Sequence, residues 1–267
     1  MNEEQFLRLE RLIGKENVRK LHEARVTLVG VGAVGGYALE ALARSGIGHI
    51  RLVDFDVVSI TNINRQIIAT YSTIGQSKVE VAKKRVLDIN PYAEVEACNC
   101  FADKDNYEML LKDSDVVLDC IDSLTPKVGL IEYAVKNGYT IISSMGAALR
   151  RDLSLIRTAD LKDTWACPLA RQVRGALRKR GVESGVRVVF SPETVNFKYI
   201  PVSEDTAIRK DDKIEERGRE RVILGSLATV TACFGEYMAT EALKILTDEK
   251  EFQGEEAWNP EIRNINR

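Results

Sequence analysis

The sequence predicts an α/β protein with a Rossmann-like doubly wound sheet, in which a parallel first half is continued by antiparallel strands in the second half. Short apolar segments alternate with amphipathic helical segments over about the first 145 residues, as in successive strand–helix–strand units. A glycine-rich turn, GVGAVGG, joins the first apolar segment to a helix, which is typical of nucleotide-binding folds of this class.

The elements of the first half alternate regularly. Residues 1–24 predict a helix, with apolar side chains at helical spacing and a break at Gly14. Apolar runs predict strands at 26–30, 49–54, 95–98, 115–120 and 140–143. Amphipathic patterns predict helices at 36–45, 76–89, 105–112 and 126–137.

The second half is less regular. The elements predicted there are strands at 151–158 and 186–200 and helices at 168–180 and 224–246. Residues 203–221 are highly charged and nearly free of large apolar side chains, which predicts a solvated, flexible loop. The apolar stretch 222–235 is shorter than the ~20 residues that a bilayer requires, so we expect a buried core helix and no membrane span.

No linker of Pro, Gly and Ser separates the halves, so we expect one domain over residues 1–267. Within it, residues 1–24 form the N-terminal helix and 25–150 the nucleotide-binding half. Residues 151–267 form the half for substrate and dimer contacts, which includes the loop 203–221.

Composition excludes several classes of protein. With 267 residues, 45% of them apolar, the chain can bury a sizeable core. A net charge of −2 with 29% charged residues excludes a disordered tail and a uniformly basic nucleic-acid binder. The five cysteines contain no C-x-x-C spacing, which argues against a disulfide framework and a zinc ribbon. The charged start, MNEEQFLRLERL, has no apolar core, so we expect no signal peptide and a soluble, cytoplasmic protein.

The glycine turn indicates a nucleotide site. Gly30, Gly32 and Gly35 follow a strand and open a helix, so the backbone can approach a phosphate at the helix N-terminus. Asp54, at the end of the second strand, is placed to accept hydrogen bonds from ribose hydroxyls. These residues alone leave three alternatives: a dinucleotide for hydride transfer, ATP, or a tight turn without a ligand.

A group of polar residues after the second strand favours ATP. The segment 54–66 reads DFDVVSITNINRQ, Lys78 follows it, and Asp122 comes after a buried strand. Attack on an α-phosphate requires cations on the phosphates, which Arg65 and Lys78 can supply. It also requires a carboxylate for Mg²⁺, which Asp122 can supply, whereas Asp119 lies inside the strand and is expected to be a structural acid.

These residues resemble those of the ThiF/MoeB superfamily of ubiquitin-activating-like adenylyltransferases, with motif elements in order over residues 26–123. The resemblance implies that Arg8 reaches the γ-phosphate on a partner subunit, with Arg11 as the alternative. It implies that Asp56 and Gln66 lie beside the nucleotide, although Asp56 could instead serve the turn itself. The remaining contacts that it implies to nucleotide, phosphates or metal are Gly32, Asp54, Asn62, Arg65, Lys78, Asp122 and Ser123.

Residues 168–193 and 224–235 are similar to one branch, the tRNA threonylcarbamoyladenosine dehydratases. One departure is Cys167, which stands where we expect an Asp before Pro-Leu-Ala. As the one cysteine of the second-half loop it could form a thioester, but a free cysteine is more often inert. Activators of sulfur carriers usually have paired C-x-x-C zinc motifs, which this chain lacks.

The basic helix favours an RNA partner. Arg171, Arg174 and Arg178 share one helical face at i, i+3 and i+7 spacing, and Lys179 and Arg180 follow. Such a stripe can neutralise phosphates without reading sequence, whereas the alternative is a solvated face.

The resemblance therefore implies ATP-dependent dehydration of threonylcarbamoyladenosine in tRNA, through a carboxyl adenylate that closes a ring and releases AMP. It also implies Mg²⁺, a homodimer, a monovalent cation (K⁺ or Na⁺) near 224–232 and, for some relatives, a cysteine desulfurase or sulfur-acceptor partner. The alternative is an adenylyltransferase for a ubiquitin-like sulfur carrier. A non-catalytic nucleotide-binding scaffold or an NAD oxidoreductase would have no use for Arg65, Lys78 and Asp122 together.

Overall fold

The computed structural model describes residues 3–195 and 224–247, and these residues contain a single mixed sheet of seven strands. The strands are β1 (Arg25–Val29), β2 (His49–Val53), β3 (Glu94–Cys98), β4 (Val116–Asp119), β5 (Ile141–Ser144), β6 (Arg157–Asp160) and β7 (Arg187–Phe190). Their order is β3-β2-β1-β4-β5-β7-β6, and every pair is parallel except the antiparallel pair β6–β7. The predicted fold class is confirmed.

The strand order reverses between β1 and β4. From β1 the chain continues to β2 and β3 on one side, whereas β4, β5 and β7 extend the sheet on the other. In open α/β sheets, ligands bind outside the carboxyl ends of the strands at such a reversal. A site is therefore expected among the residues that follow β1, β2, β4 and β5.

Helices cover both faces of the sheet. They are α1 (Leu7–Ile13), α2 (Lys15–Glu23), α3 (Gly35–Arg44), α4 (Lys78–Ile89), α5 (Tyr107–Leu111), α6 (Leu124–Lys136), α7 (Pro168–Arg178) and α8 (Ala228–Thr247). Alternate side chains of each strand point to opposite faces. On β1, Leu28 joins the core cluster that α2, α3, α4 and α8 complete, whereas Val29 joins the cluster that α5, α6 and α7 complete.

The last helix of the second half packs into the first half. Helix α8 lies against α3, and a Cβ at Gly235 would approach the carbonyl oxygen of Val34 to 2.6 Å and the amide nitrogen of Ala38 to 2.8 Å. Glycine is therefore required where the two helix backbones meet. No helix within the described residues has both the length and the apolar character needed to cross a membrane.

Several predicted boundaries were wrong. The segment 151–158 is not a strand at its start, because Asp152 accepts a hydrogen bond from the Ser154 amide and caps a 3-10 turn, so β6 begins only at residue 157. Strand β7 ends at Phe190 rather than near residue 200, since Pro192 has no N–H for the ladder. Helix α8 begins at Ala228 rather than at residue 224. The predicted break at Gly14 is present, and it separates α1 from α2. The predicted loop 203–221 lies outside the described residues.

Candidate active site

The glycine turn after β1 closes tightly against the end of β4. Gly30 has a φ of 95°, and a Cβ there would lie 2.9 Å from the carbonyl oxygen of Cys120. A Cβ at Gly35 would lie 1.9 Å from the carbonyl oxygen of Gly30. Around Gly32, by contrast, the nearest atom to a Cβ is Nε2 of Gln66 at 3.9 Å. The turn is therefore packed on the protein side and open at Gly32, as a phosphate-binding backbone requires.

Asp54 ties this turn to the end of β2. Its Oδ2 accepts a hydrogen bond from the Val31 amide at 2.7 Å, and its Oδ1 accepts one from the Asp56 amide at 2.9 Å. The side chain is buried, and this burial raises the pKa of Asp54 above its ordinary value, although the charge of Lys78 opposes the rise. Each carboxylate oxygen retains a lone pair, so Asp54 can still accept hydrogen bonds from a ribose.

Lys78 begins α4 and is buried beside the same turn. Its Nζ donates a hydrogen bond to Oδ2 of Asp56 at 2.7 Å, and its backbone amide donates to the Asp56 carbonyl oxygen at 3.0 Å. The lysine is only 4% exposed. Asp56 thus holds both the backbone and the ammonium group of Lys78, which gives it a positioning role that the sequence left open.

The segment between these two elements is folded by its own polar side chains. Oδ1 of Asn62 accepts a hydrogen bond from the Ser59 amide, and Nη1 of Arg65 donates to the Thr61 carbonyl and to Oδ1 of Asn64. These contacts lie within or just after a 3-10 turn at Ile60–Asn62. The structure thus gives Asn62 a local role, and it leaves Arg65 half-buried.

Two buried polar atoms beside the cleft have no hydrogen-bond partner among the described residues. They are Oε1 of Gln66 and Oγ of Ser77, the residue that precedes Lys78. A buried polar atom without a partner is costly, and in native structures it commonly faces a ligand or an ordered water. Together with the open backbone at Gly32, these atoms fit a polar ligand such as a nucleotide.

Asp122 and Ser123 lie just beyond β4, where Asp122 is exposed and accepts a hydrogen bond from Oγ of Ser123. Beneath them is a fully buried group: Nζ of Lys127 lies 2.6 Å from Oδ2 of Asp119, and Ser143 donates to the same oxygen. Oδ1 of Asp119 accepts a hydrogen bond from the Ile121 amide. Asp119 is the structural acid that the sequence predicts, and it fixes the segment that carries Asp122.

A resident metal cluster is not present among the described residues, since no three His, Cys, Asp or Glu side chains come together there. A lone carboxylate at Asp122 fits Mg²⁺ that is shared with phosphates, because Mg²⁺ usually has one or two carboxylates, substrate phosphates and water as ligands.

Arg8 lies far from the glycine turn of its own chain. Its helix, α1, follows Gln5, whose side chain donates a hydrogen bond to the Ile89 carbonyl at the end of α4. Phe6 lies against Gly46, which precedes β2. Both contacts are at the amino ends of the strands, so Arg8 is at the opposite edge of the sheet from the cleft. In its own subunit, Arg8 does not join the other predicted site residues.

The basic helix α7 starts near the carboxyl ends of the strands and runs away from them. Arg171, Arg178, Lys179 and Arg180 are exposed, and Arg180 also binds Glu132. Arg174 differs from the expectation: its guanidinium turns inward to the carbonyl oxygens of Leu161 and Thr164. The predicted stripe is therefore interrupted, because these carbonyls offer Arg174 acceptors within the fold. Cys167, just before α7, is buried.

Sequence reasoning missed Ser77, Lys127 and Arg150, a buried arginine that follows β5. Their sequence neighbourhoods, GQSK, LTPK and ALRR, look like ordinary polar surface. The available signal was position, since all three follow or face the carboxyl end of a parallel strand.

Comparison with known proteins extends over both halves of the chain. It is 46% identical over 191 residues to the tRNA threonylcarbamoyladenosine dehydratase of Bacillus subtilis, covering 71% of this chain and 75% of that protein. The crystal structure of the E. coli tRNA N6-threonylcarbamoyladenosine dehydratase TcdA in complex with AMP matches with a TM-score of 0.81 at 32% identity, covering 92% of this chain and 95% of that one. The same protein has also been solved in complex with ATP.

A relative with a different activity matches over a shorter length. The molybdopterin-synthase adenylyltransferase of E. coli is 35% identical over 132 residues, which is 49% of this chain and 52% of that protein. The ThiF family matches residues 5–266 of the chain. With its seven-stranded sheet and the cleft between β1 and β4, the chain belongs to the ThiF family.

Proposed function

We propose that this protein is an ATP-dependent tRNA threonylcarbamoyladenosine dehydratase that acts in the cytoplasm. The observation that carries the proposal is the extent of the likeness. Relatives with that name match both halves of the chain, with 92% coverage by the TcdA structure. The adenylyltransferase for molybdopterin synthase matches 49% of the chain.

The first step is adenylation of a carboxylate. The threonyl carboxylate of the modified adenosine attacks the α-phosphate of ATP; a bond forms between the carboxylate oxygen and phosphorus, and pyrophosphate leaves. Lys78 and Arg65 stabilise the negative charge of the phosphates, and the backbone at Gly30, Gly32 and Gly35 approaches them. Mg²⁺ at Asp122 would neutralise charge on the departing pyrophosphate.

The second step closes a ring. An internal nucleophile of the threonylcarbamoyl group attacks the activated carbonyl carbon, and AMP leaves with the oxygen that the carboxylate had supplied. The tRNA has then lost one water in total, and ATP has become AMP and pyrophosphate. The protein needs only to position the groups and stabilise charge, so no nucleophilic side chain is required, in keeping with the burial of Cys167.

The nucleotide contacts follow from the cleft. Asp54 accepts hydrogen bonds from the ribose hydroxyls, and Gln66 and Ser123 line the nucleotide site. Asp56 acts through Lys78, which it binds at 2.7 Å. Asn62 shapes the turn that presents Arg65, through its bond with the Ser59 amide.

The basic residues of α7 are proposed to contact the tRNA backbone. Arg171 and Arg178 are exposed and seven residues apart, so they share one face of the helix. Lys179 and Arg180 extend that surface, whereas Arg174 stabilises the turn beneath it.

We further propose one domain over the whole chain, because strands from both halves share one sheet. A homodimer is proposed because Arg8, at the opposite sheet edge, can reach a nucleotide only in a partner subunit. A monovalent cation near residues 224–232 and a cysteine desulfurase or sulfur-acceptor partner remain proposals from the family resemblance.

The alternative is activation of a ubiquitin-like sulfur carrier, and pyrophosphate release separates the two. Purified protein with ATP and Mg²⁺ should release pyrophosphate when tRNA bearing threonylcarbamoyladenosine is added. Tail peptides ending in Gly-Gly and tRNA that lacks the modification are the two controls. Release with the peptide and none with modified tRNA would favour the sulfur-carrier activity.

A further inference from the structure

Arg150 is a buried cation whose guanidinium is incompletely paired in the described part of the chain. It is 3% exposed, and its Nε and Nη1 atoms have no hydrogen-bond acceptor among the described residues. A guanidinium stays protonated at any pH that a protein encounters, so it cannot avoid the cost of burial by losing its charge. Buried charges in native proteins are paired or bind a ligand. We therefore expect the Arg150 guanidinium to bind an anion.

The carboxylates that flank it in the fold are already engaged. Glu193 accepts hydrogen bonds from the backbone amides of Arg151 and Asp152, at 2.9 Å and 3.0 Å from its Oε2. The carboxylate of Asp152 accepts from the amide and the hydroxyl of Ser154. Neither acid pairs with Arg150, although both bracket the segment that carries it.

The backbone that leads from β5 to Arg150 is fixed. The Met145 amide donates to the Val189 carbonyl, and the Leu149 amide donates to the Gly225 carbonyl, each at 2.8 Å. Leu149 itself has a φ of 63°, a conformation that L-residues other than Gly, Asn and Asp rarely adopt. Strained residues of this kind persist where the surrounding structure holds them, often at binding sites. The backbone that carries Arg150 is thus in place before an anion arrives.

The position of Arg150 distinguishes it from the phosphate-binding residues. Its segment leaves the carboxyl end of β5, and β5 neighbours β4, where Asp122 lies. Asp54, Arg65 and Lys78 all follow β2, on the other side of β1. An attacking carboxylate must approach the α-phosphate opposite the leaving pyrophosphate, and the β5 side is the side that the phosphate-binding residues leave open.

We propose that Arg150 binds the carboxylate of the threonylcarbamoyl group and positions it for attack on ATP, an inference that rests on the proposed function. A guanidinium can bind a carboxylate through two parallel hydrogen bonds, which fixes its orientation as well as its place. The same contact selects the acid form of the substrate over neutral analogues.

The first test measures binding without turnover. The probe is an anticodon stem–loop RNA that carries threonylcarbamoyladenosine, compared with the same RNA whose threonyl carboxyl is a methyl ester, both without ATP. Wild-type protein should prefer the acid by about 10- to 100-fold, the affinity of a charge-assisted hydrogen bond. Arg150→Met should bind both RNAs equally, and Arg150→Lys should retain part of the preference. Arg151→Met, at the exposed neighbour, is the matched control and should keep the full preference.

The second measurement is the Tm of thermal unfolding without ligand. If Arg150 had a structural role, Arg150→Met would lower this Tm. Since two nitrogens of Arg150 have no acceptor among the described residues, Arg150→Met should raise the Tm or leave it unchanged. Arg151→Met, at an exposed position, should leave the Tm unchanged. A lowered Tm would show that Arg150 has an acceptor within the protein, and would overturn the proposal. Weakened ATP binding by Arg150→Met would assign Arg150 to the nucleotide phosphates and would also overturn it.

The two proposals fail in different ways. If wild-type protein dehydrates the modified tRNA and Arg150→Met still prefers acid over ester, only the assignment of Arg150 fails. If wild-type protein neither binds nor converts the modified RNA, the proposed function itself fails.

Discussion

One residue, Asp56, binds the buried Lys78 twice. Asp56 accepts hydrogen bonds from both its ammonium group and its backbone amide, so the lysine is oriented before a phosphate arrives. Preorganised charges of this kind stabilise a transition state without reorganising during the reaction. A single aspartate thus determines where the cation of the cleft points.

Replacing this cation should affect chemistry more than folding. We expect Lys78→Met to lower kcat/KM for pyrophosphate release by about 10²- to 10³-fold, the effect of removing one group that stabilises transition-state charge. Asp56→Asn should cost less, because the lysine remains but is less well oriented. Lys84→Met, on the exposed side of the same helix, is the matched control. Equal rates for Lys78→Met and Lys84→Met would contradict this role.

If Asp54 binds the ribose as proposed, its burial should make nucleotide binding depend on pH. Because burial raises the pKa of Asp54, its carboxyl takes up a proton at a higher pH than an exposed aspartate, whose pKa is 3.8. A protonated carboxyl accepts hydrogen bonds from ribose hydroxyls less well than a carboxylate does. ADP affinity should therefore fall on acidification before pH 3.8 is reached. The measurement is ADP affinity against pH for wild-type protein and for Asp54→Asn. Protonation of ADP affects both proteins equally, so the difference between the two pH profiles is due to Asp54.

Acidification should affect the stability of the fold in the opposite direction to nucleotide affinity. A carboxyl whose pKa is raised by folding contributes stability below the pKa of the unfolded state, and this stability is lost as pH rises through the folded value. Acidification should therefore weaken nucleotide binding while it favours the protonated fold at this residue. Asp88→Asn, on exposed α4 surface, should leave the pH profile of ADP affinity unchanged. An Asp54→Asn profile that matches wild type would refute the assignment.

Among individual residues, the sequence predicts site residues that belong to a recognisable motif. It does not predict residues whose role depends on burial in the fold. Asp54 and Lys78 occupy fixed places after a strand and a glycine turn, so their positions follow from the pattern. Arg150 and Lys127 owe their importance to the side chains that surround them in the fold. Arg174 is the converse case, because the carbonyls that bind it lie 10 and 13 residues away in the chain.

Among the elements, α8 illustrates how a helix can approach another closely enough to require glycine. Gly235 and Gly175 are both helical glycines, but of these two Gly235 alone lies against a neighbouring backbone in the described part of the chain. The periodicity of α8 predicts a buried helix. It does not predict the partner, because α3 is nearly 200 residues earlier in the chain.

The two glycines should respond in opposite directions to the same substitution. Gly235→Ala places a methyl group within 2.6 Å of a carbonyl oxygen, so we expect it to lower the free energy of unfolding by about 1–3 kcal/mol. Gly175→Ala meets no described atom within 4 Å, so it should raise that free energy by about 0.5–1 kcal/mol through helix propensity. Urea denaturation measures both. A neutral Gly235→Ala would mean that α3 and α8 can separate at little cost.

Helix α7 allows a test of the proposed RNA surface. Reversing charge at Arg171 and Arg178 should weaken tRNA binding, and should reduce the steepness of log K against log salt by ~0.7–0.9 for each phosphate that the protein no longer neutralises. ATP affinity should not change. The control reverses Lys15 and Lys84, which are exposed on α2 and α4, the helices that cover the opposite face of the sheet from α7. If both pairs have the same effect on tRNA binding, α7 is an ordinary solvated face.

The sequence predicts which helices and strands are present better than it predicts where they begin and end, because single residues near the ends decide the boundaries. The residues before β6 alternate in polarity as a strand does, yet the side chain of Asp152 turns the backbone back on itself. The strand predicted over 186–200 stops at Phe190, because Pro192 has no N–H to donate to the sheet.

For the whole molecule, a single sheet joins the two halves of the chain. The nucleotide cleft lies at the reversal between β1 and β4, and the second half adds β6 and β7 beyond β5. Under the proposed function, the attacking group would come from the side of the second half while the first half holds ATP. The sequence predicts this division because its two halves carry different patterns, the one glycine-rich and alternating, the other basic.

The central claim is that the protein removes water from a modified tRNA nucleoside. Purified protein should be incubated with ATP, Mg²⁺ and tRNA bearing threonylcarbamoyladenosine, and the digested nucleosides weighed by mass spectrometry. We expect the modified nucleoside to lose the mass of one water only when ATP is present, and Asp122→Ala to slow this loss severely. An unchanged mass with folded wild-type protein that binds ATP would contradict the proposed function.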